Sequence, residues 1–117
     1  MKKILFVAAI FISGVMTGQN TLKLTAGATL KTTGGAVITV EGLHLDNDGT
    51  INQAVGDGTF RFSGNINTNI SGTNIPVFDR LEMAKINAQL LLMGDINITS
   101  ALDFTSGLLN LNNHNVL

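Results

Sequence analysis

Glycines recur along this chain with a period of about 22 residues, and this period constrains the fold more than any other feature of the sequence. One series comprises Gly27, Gly49, Gly72 and Gly94. A second series has almost the same spacing and comprises Gly42, Gly64, Lys85 and Gly107. An apolar residue follows each member within three positions. A fixed period of this length predicts a repeat architecture in which one supersecondary unit stacks on the next.

Short segments of alternating apolar residues lie between these markers and predict strands: LKL (22–24), VITV (37–40), LHL (43–45), TFRF (59–62), INI (96–98) and LDF (102–104). Such a strand cannot bury its apolar side alone, whereas stacking it on the next repeat forms a parallel sheet with a continuous core. Gly, Asn and Asp residues then supply the corners. The sequence therefore predicts an all-β solenoid of about four coils over residues 19–117.

The repeat phase also predicts which side chains face the core. The expected inward residues are Ile38, Phe60, Phe62, Leu81, Leu92, Ile96, Leu102 and Phe104. Residues 77–93 are the difficult stretch, because they are rich in helix formers and Pro76 is suited to the first turn of a helix. The repeat markers Lys85 and Gly94 keep their phase through this stretch, so we predict a strand there as well.

The first eighteen residues have the order of a secretory signal peptide. Lys2 and Lys3 precede an apolar run from Ile4 to Met16, and small and polar residues follow. The run is too short to span a bilayer comfortably, which favours a cleaved signal peptide over an uncleaved membrane anchor. We expect cleavage after Gly18, leaving a secreted or cell-surface repeat segment of residues 19–117.

Composition excludes several classes of function. The formal net charge is −1 and the seven Lys and Arg residues are scattered, so the chain lacks the basic patch that nucleic-acid binding requires. The chain has no cysteine, which excludes disulfides, thiolate metal sites and a lipid-anchoring cysteine. Nucleic acid is therefore not expected as a partner.

Two features suggest a metal site, but a structural role explains each better. Residues 46–49, DNDG, resemble part of a calcium loop, yet the first ligand would be His44 and the twelfth Val55 where a bidentate Glu is needed. A corner turn is favoured. His44 and His114 lie in distant parts of the chain, with no Cys or paired carboxylate at ligand spacing, and His44 alternates with leucines as an outward-facing strand residue does. We predict no metal and no cofactor.

The carboxylates do not form a catalytic pattern. A β-helix hydrolase or lyase needs carboxylates or basic groups gathered on one face. Asp57, Asp79, Asp95 and Asp103 are spread along the repeat segment, roughly one charge cluster per corner, so we interpret them as solubilising corner residues. The sequence predicts no catalytic residue, and the chain is not expected to be an enzyme.

The last third of the chain contains a longer phrase with the pattern L-x-M-x-K, L-x-L, G-D-I, L-x-F and S-G-x-L-x-L-x-x-H, which begins at Leu81 and ends at His114. Residues 80–117 thereby resemble the repeats of large secreted surface proteins of Bacteroidota, many of which are exported by the type IX system. The resemblance implies an adhesin-like β-solenoid region followed by further repeats and a sorting domain. It also implies surface glycans or host or matrix components as partners.

These features favour a non-catalytic structural or adhesive segment of an exported bacterial cell-surface protein. The alternative is the N-terminal part of a carbohydrate-active β-helix enzyme whose catalytic coils lie beyond residue 117. A binder of ice or crystal surfaces is disfavoured, because the threonines of residues 29–50 form no rank at one repeat phase. The strand pattern of residues 109–117 stops without a cap, so we expect an incomplete repeat segment that self-associates through its C-terminal coil.

Overall fold

The computed structural model of this chain describes residues 7–8 and 20–117. The strands are β1 (Val7–Ala8), β2 (Asn20–Leu24), β3 (Leu30–Lys31), β4 (Ala36–Glu41), β5 (Leu43–Asn47), β6 (Gly58–Gly64), β7 (Thr68–Ser71), β8 (Val77–Leu92) and β9 (Asn97–Asn110). No helix occurs in this part of the chain, so the all-β prediction is confirmed. The predicted signal peptide lies outside the described residues except for β1, which pairs antiparallel with β3.

One sheet of parallel strands contains β2 and β4 to β9. The strand order is β2-β5-β7-β8-β6-β4, and β9 pairs with β8. Residues that pair between strands are separated in the chain by one turn of the solenoid. Phe60, for example, pairs with Ile38 of the preceding coil and with Leu81 of the next coil. The fold is a β-solenoid of about four coils with a step of about 22 residues, as the period of the sequence predicts.

Each complete coil passes through three sides. The first face stacks β2, β5, β7 and residues 90–92 of β8. The second face stacks β4, β6, residues 80–85 of β8 and residues 101–106 of β9. The third side is shorter and contains β3, the isolated bridges from Thr29 to Thr50 and from Asn52 to Val77, and the starts of β8 and β9.

The segment rich in helix formers is strand β8, so the prediction for residues 77–93 is confirmed. β8 is continuous over 16 residues, and register shifts after Phe78 and after Ala84 mark the places where it bends around the corners. Its residues pair with β6, β7 and β9, and this pairing places Leu81 and Leu92 at 0% exposure in the core. Parallel pairing on both sides thus overrides the local helix propensity.

Columns of apolar side chains, one from each coil, fill the interior. Ile38, Phe60, Leu81 and Leu102 form one column through the register of the second face. The rings of Phe60 and Phe78 meet edge to face with centroids 5.0 Å apart. Five of the predicted inward residues are 0% exposed, namely Phe60, Phe62, Leu81, Leu92 and Ile96, while Ile38 and Leu102 are partly buried against the same core.

Phe104 is the exception among the predicted inward residues. It pairs in register with Met83, which is 0% exposed, so its phase is the one that the period predicts. Its side chain is nevertheless 57% exposed, because β9 pairs with β8 on one side only in the described structure. The predicted burial of Phe104 is therefore wrong, although its alignment is right.

Two corner glycines are required for different reasons. Gly72 has a φ of 114°, and a Cβ there would collide with the carbonyl oxygen of Asn47, so both backbone conformation and space exclude a side chain. Gly49 lacks a left-handed φ, but a Cβ there would collide with the carbonyl oxygen of Ala28. The glycine period thus reflects close approach between coils as well as left-handed turns.

Candidate functional site

Ionic and hydrogen-bonding contacts of the carboxylates run mainly between neighbouring coils. Seven of the eight carboxylates accept a hydrogen bond from a group roughly one repeat away: Asp46 and Asp48 from Lys23, Asp57 from Lys31, Asp79 from Gly58, Glu82 from Thr105, Asp95 from Asn115 and Asp103 from Arg80. These acids are therefore links between coils rather than simple solubilising residues.

The DNDG turn is an example of such a link. The Lys23 ammonium lies 2.8 Å from Asp46 Oδ2 and 2.9 Å from Asp48 Oδ2, in the space between the two acids where a cation would be attracted. Asp48 Oδ1 also accepts the backbone N–H of Thr73 at 2.9 Å. The Lys23 hydrogen bond, followed by that of Thr73, lowers the pKa of Asp48 to about 2. A single lysine of the preceding coil thus balances one of the two negative charges of the turn.

The two histidines are far apart in the chain and have separate contacts. His44 is half-buried on the first face, and its Nδ1 accepts the backbone N–H of Asn69 at 3.0 Å. His114 Nδ1 lies 3.7 Å from Asp95 Oδ1 in the last coil. Within residues 20–117, no group of three or more His, Cys, Asp or Glu residues is arranged to hold a metal ion.

Asp79 is a buried carboxylate at the corner where the third side of the solenoid meets the second face. It is 2% exposed, and its Oδ2 accepts the backbone N–H groups of Gly56 and Gly58, each at 3.0 Å. Its Oδ1 accepts the hydroxyls of Ser100 and Thr99. The Ser100 hydrogen bond and those of the two glycines lower the pKa of Asp79 despite its burial. Asp79 thereby connects three consecutive coils.

Lys85 stands in the glycine series and is completely buried. The other three members, Gly42, Gly64 and Gly107, have positive φ values. In the coil that contains Lys85, the residue with a left-handed backbone is instead Asn87, with a φ of 52°. Lys85 is 0% exposed, and its Nζ donates to the carbonyl oxygens of Ser63 at 3.3 Å and Ile66 at 3.0 Å. Burial lowers the pKa of Lys85. The ammonium thus caps the carbonyl groups of the corner in the preceding coil.

A shallow depression of about 510 Å³ lies over the corner that Lys85 supports. Its lining residues are Asn67, Asn87, Ala88, Gln89, Gly107 and Leu108, and none of them is charged. Amides from two neighbouring coils converge there, since the backbone N–H of Gln89 donates to Asn67 Oδ1 at 3.0 Å. Amide donors and acceptors beside an apolar wall suit a neutral ligand that carries hydroxyl groups. We call this feature the amide depression.

A second depression, of about 470 Å³, crosses the second face and is charged. It is lined by Thr39, Glu41, Arg61, Ser63, Gly64, Asn65, Ala84 and Ile86. The Arg61 side chain is 45% exposed, and its Nε lies 3.9 Å from Glu82 Oε2. Arg61 is positively charged, whereas Glu41 and Glu82 are negatively charged. This surface therefore suits polar binding contacts better than acid–base catalysis, which would need a pair of carboxylates close together.

Sequence reasoning missed the roles of Lys85 and Asp79, although the period contained a signal for each. Lys85 occupies the one position of its series that is not glycine. Asp79 lies about one repeat after Gly58, whose buried backbone N–H donates a hydrogen bond to Asp79 Oδ2. A search for polar residues one period from a corner glycine would therefore have found Asp79. Reading the repeat only for its apolar residues passes over such links.

Comparison of the chain with protein-family models, with curated proteins and with solved structures finds no match. No helix among the described residues is long and apolar enough to cross a membrane. Function is therefore inferred from the geometry described above.

Proposed function

We propose that this chain is a non-catalytic structural or adhesive segment of an exported bacterial cell-surface protein. The observation that carries the proposal is the use of seven of the eight carboxylates as links between coils. Groups held in this way stabilise a stack and are poorly placed to transfer protons to a substrate. The resemblance of residues 80–117 to repeats of secreted Bacteroidota surface proteins supports the same role.

Export is the first part of the proposal, and it depends on the N-terminal sequence. The order of Lys2, Lys3 and the following apolar run supports cleavage after Gly18. Intact mass of the protein recovered from the envelope and from the medium measures the cleavage site. A mature chain that begins at Gln19 or within a few residues of it is expected, whereas a product that retains Met1 would contradict export by a cleaved signal.

Adhesion is the second part, and the amide depression is its best candidate surface. The chain, coupled to beads so that weak contacts add together, should bind neutral glycans on an array of glycans and matrix components. Asn87→Gly removes one amide while keeping the left-handed backbone at this position, where φ is 52°. Asn112→Gly is the matched control, because Asn112 also has a left-handed backbone, with a φ of 49°, and does not line the depression.

The expected result is weaker binding for Asn87→Gly and unchanged binding for Asn112→Gly. Equal binding by both variants would exclude the amide depression as the adhesive surface. Absence of binding to every glycan and matrix component would leave the structural role and remove the adhesive one. Release of shortened sugars from the array would contradict the non-catalytic assignment and favour the carbohydrate-active enzyme.

A further inference from the structure

Two charged side chains on the surface of the solenoid take no part in the links between coils. Among residues 20–117, Glu41 is the one carboxylate that accepts no hydrogen bond. Arg61 is the one basic residue of the same range that donates none, and its ion pair with Glu82 is 3.9 Å long. The other basic residues there all donate to a neighbouring coil, namely Lys23, Lys31, Arg80 and Lys85. Glu41 and Arg61 both line the second depression, so one acid and one base remain for a ligand at the same place.

The strand register sets the spacing of these two residues. Glu41 on β4 pairs with Ser63 on β6, and Arg61 lies two residues before Ser63 on the same strand. With strands about 4.8 Å apart and a rise of about 3.3 Å per residue, the two backbone positions are roughly 8 Å apart. Glu41 and Arg61 form no ion pair with each other. Their opposite charges are therefore separated across the depression rather than neutralised by direct contact.

The corner beneath the depression is fixed from inside the solenoid. The buried Lys85 ammonium donates to the carbonyl oxygens of Ser63 at 3.3 Å and Ile66 at 3.0 Å. The Ser63 carbonyl oxygen also accepts the backbone N–H of Gly42 at 3.1 Å. A backbone held in this way loses little conformational freedom when a ligand binds, which lowers the cost of binding.

The charges of the site select a ligand that carries both signs. A guanidinium donates two parallel hydrogen bonds to a carboxylate, and a carboxylate accepts hydrogen bonds from an ammonium group. An anionic ligand without a positive group would be repelled by Glu41 and the nearby Glu82, and a cationic ligand without a negative group would be repelled by Arg61. Ile86 lies at the edge of the depression and is 63% exposed, so it offers an apolar contact beside the charges.

We propose that the second depression binds a small zwitterion, an α-amino acid with an apolar side chain. The carboxylate of the ligand pairs with Arg61, its ammonium group pairs with Glu41, and its side chain packs on Ile86. The second depression shares no lining residue with the amide depression. It is therefore a separate binding site that does not depend on the proposed adhesive role.

Leucine is the probe, titrated into the ¹⁵N-labelled chain while the backbone amide chemical shifts are recorded. Saturable shifts are expected in residues 39–41, 61–65 and 84–86, which surround the depression. N-acetylleucine lacks the ammonium group and leucinamide lacks the carboxylate. Each should bind about fivefold or more weakly than leucine, because one charged contact is lost.

Two variants that each remove one charge assign the contacts. Arg61→Gln should weaken leucine binding and abolish the preference for leucine over leucinamide. Glu41→Gln should weaken it and abolish the preference for leucine over N-acetylleucine. A general structural effect would not exchange these two preferences in this way. Asp103→Asn is the matched control, because Asp103 lies on the same face, is 51% exposed and does not line the depression.

The control variant should bind leucine as the natural chain does. Absence of saturable shifts with leucine would overturn the proposal, and so would equal binding of the three probes by the natural chain. Equal weakening by Asp103→Asn, or preferences that survive in Arg61→Gln and Glu41→Gln, would also overturn it.

Discussion

Replacement of Asp79 by Ala should cost more stability than replacement of any exposed acid. The Asp79 carboxylate is 2% exposed and accepts four hydrogen bonds, two of them from the backbone N–H groups of Gly56 and Gly58. Removing it leaves the Gly58 N–H buried without its acceptor. The loss therefore falls on the contacts between three coils at once.

The expected magnitude follows from those contacts. A hydrogen bond to a charged group contributes about 1.5–3 kcal/mol, and a buried donor left unpaired costs about 1–3 kcal/mol. Relief of the desolvation of the carboxylate offsets part of this loss. We expect Asp79→Ala to lower the free energy of unfolding by about 3–5 kcal/mol, a large share of the roughly 5–15 kcal/mol that a domain has.

Urea unfolding followed by circular dichroism measures this change. Asp103→Ala is the control: the Asp103 side chain is 51% exposed in its ion pair with Arg80, and its loss should cost less than about 1 kcal/mol. A cost for Asp79→Ala of under about 1 kcal/mol would refute the argument. So would equal costs for the two variants.

The pH dependence supplies an independent check. The pKa of Asp79 is lower in the folded chain than its ordinary value of 3.8, so its charged form stabilises the fold above that value. This stabilisation is lost as the pH falls below 3.8 toward the folded pKa. The stability difference between the natural chain and Asp79→Asn should therefore shrink on acidification, and a constant difference would contradict the assignment.

The pKa of Lys85 is below 10.5 in the folded chain, so the unfolded chain binds more protons at this residue as the pH approaches 10.5. Urea unfolding should therefore show that the natural chain gains stability relative to Lys85→Met as the pH rises toward 10.5. The pKa of Asp48, measured by NMR titration, should be about 2, and Lys23→Ala should raise it toward 3.8 because the Lys23 hydrogen bond is its main cause. Phe60→Ala should lower the free energy of unfolding by about 3–5 kcal/mol. Phe104→Ala should lower it by less than about 1 kcal/mol, since that ring is already 57% exposed.

The period of the sequence was sufficient to predict the fold because register in a parallel solenoid follows directly from repeat spacing. Residues 77–93 show this best, since only the phase of Lys85 and Gly94 opposed their helix propensity, and they form strand β8. Exposure at the end of a stack was harder to predict. Phe104 has the inward phase, but its burial depends on a neighbouring coil rather than on its own repeat.

The candidate site was less predictable than the fold. The amide depression combines Asn67 with Asn87 and Gln89 of the next coil, and isolated amides in loop segments look alike in a sequence. Asp79 looked like a solubilising acid because two of its four hydrogen-bond donors are backbone N–H groups, those of Gly56 and Gly58, and the other two are hydroxyls one coil later. Backbone donors are present at almost every residue, so only the folded geometry shows which of them meet a carboxylate.

Cross-coil NMR contacts test the central claim, a stack of coils one repeat apart, most directly. Once the side-chain and amide proton resonances are assigned in isotopically labelled protein, the Phe60 ring should show nuclear Overhauser effects to both Ile38 and Leu81, its partners in the neighbouring coils. Backbone contacts should likewise connect residues 80–83 with residues 59–62. Sequential amide contacts with a helical period through residues 77–92, without contacts from Phe60 to Ile38 and Leu81, would contradict the solenoid.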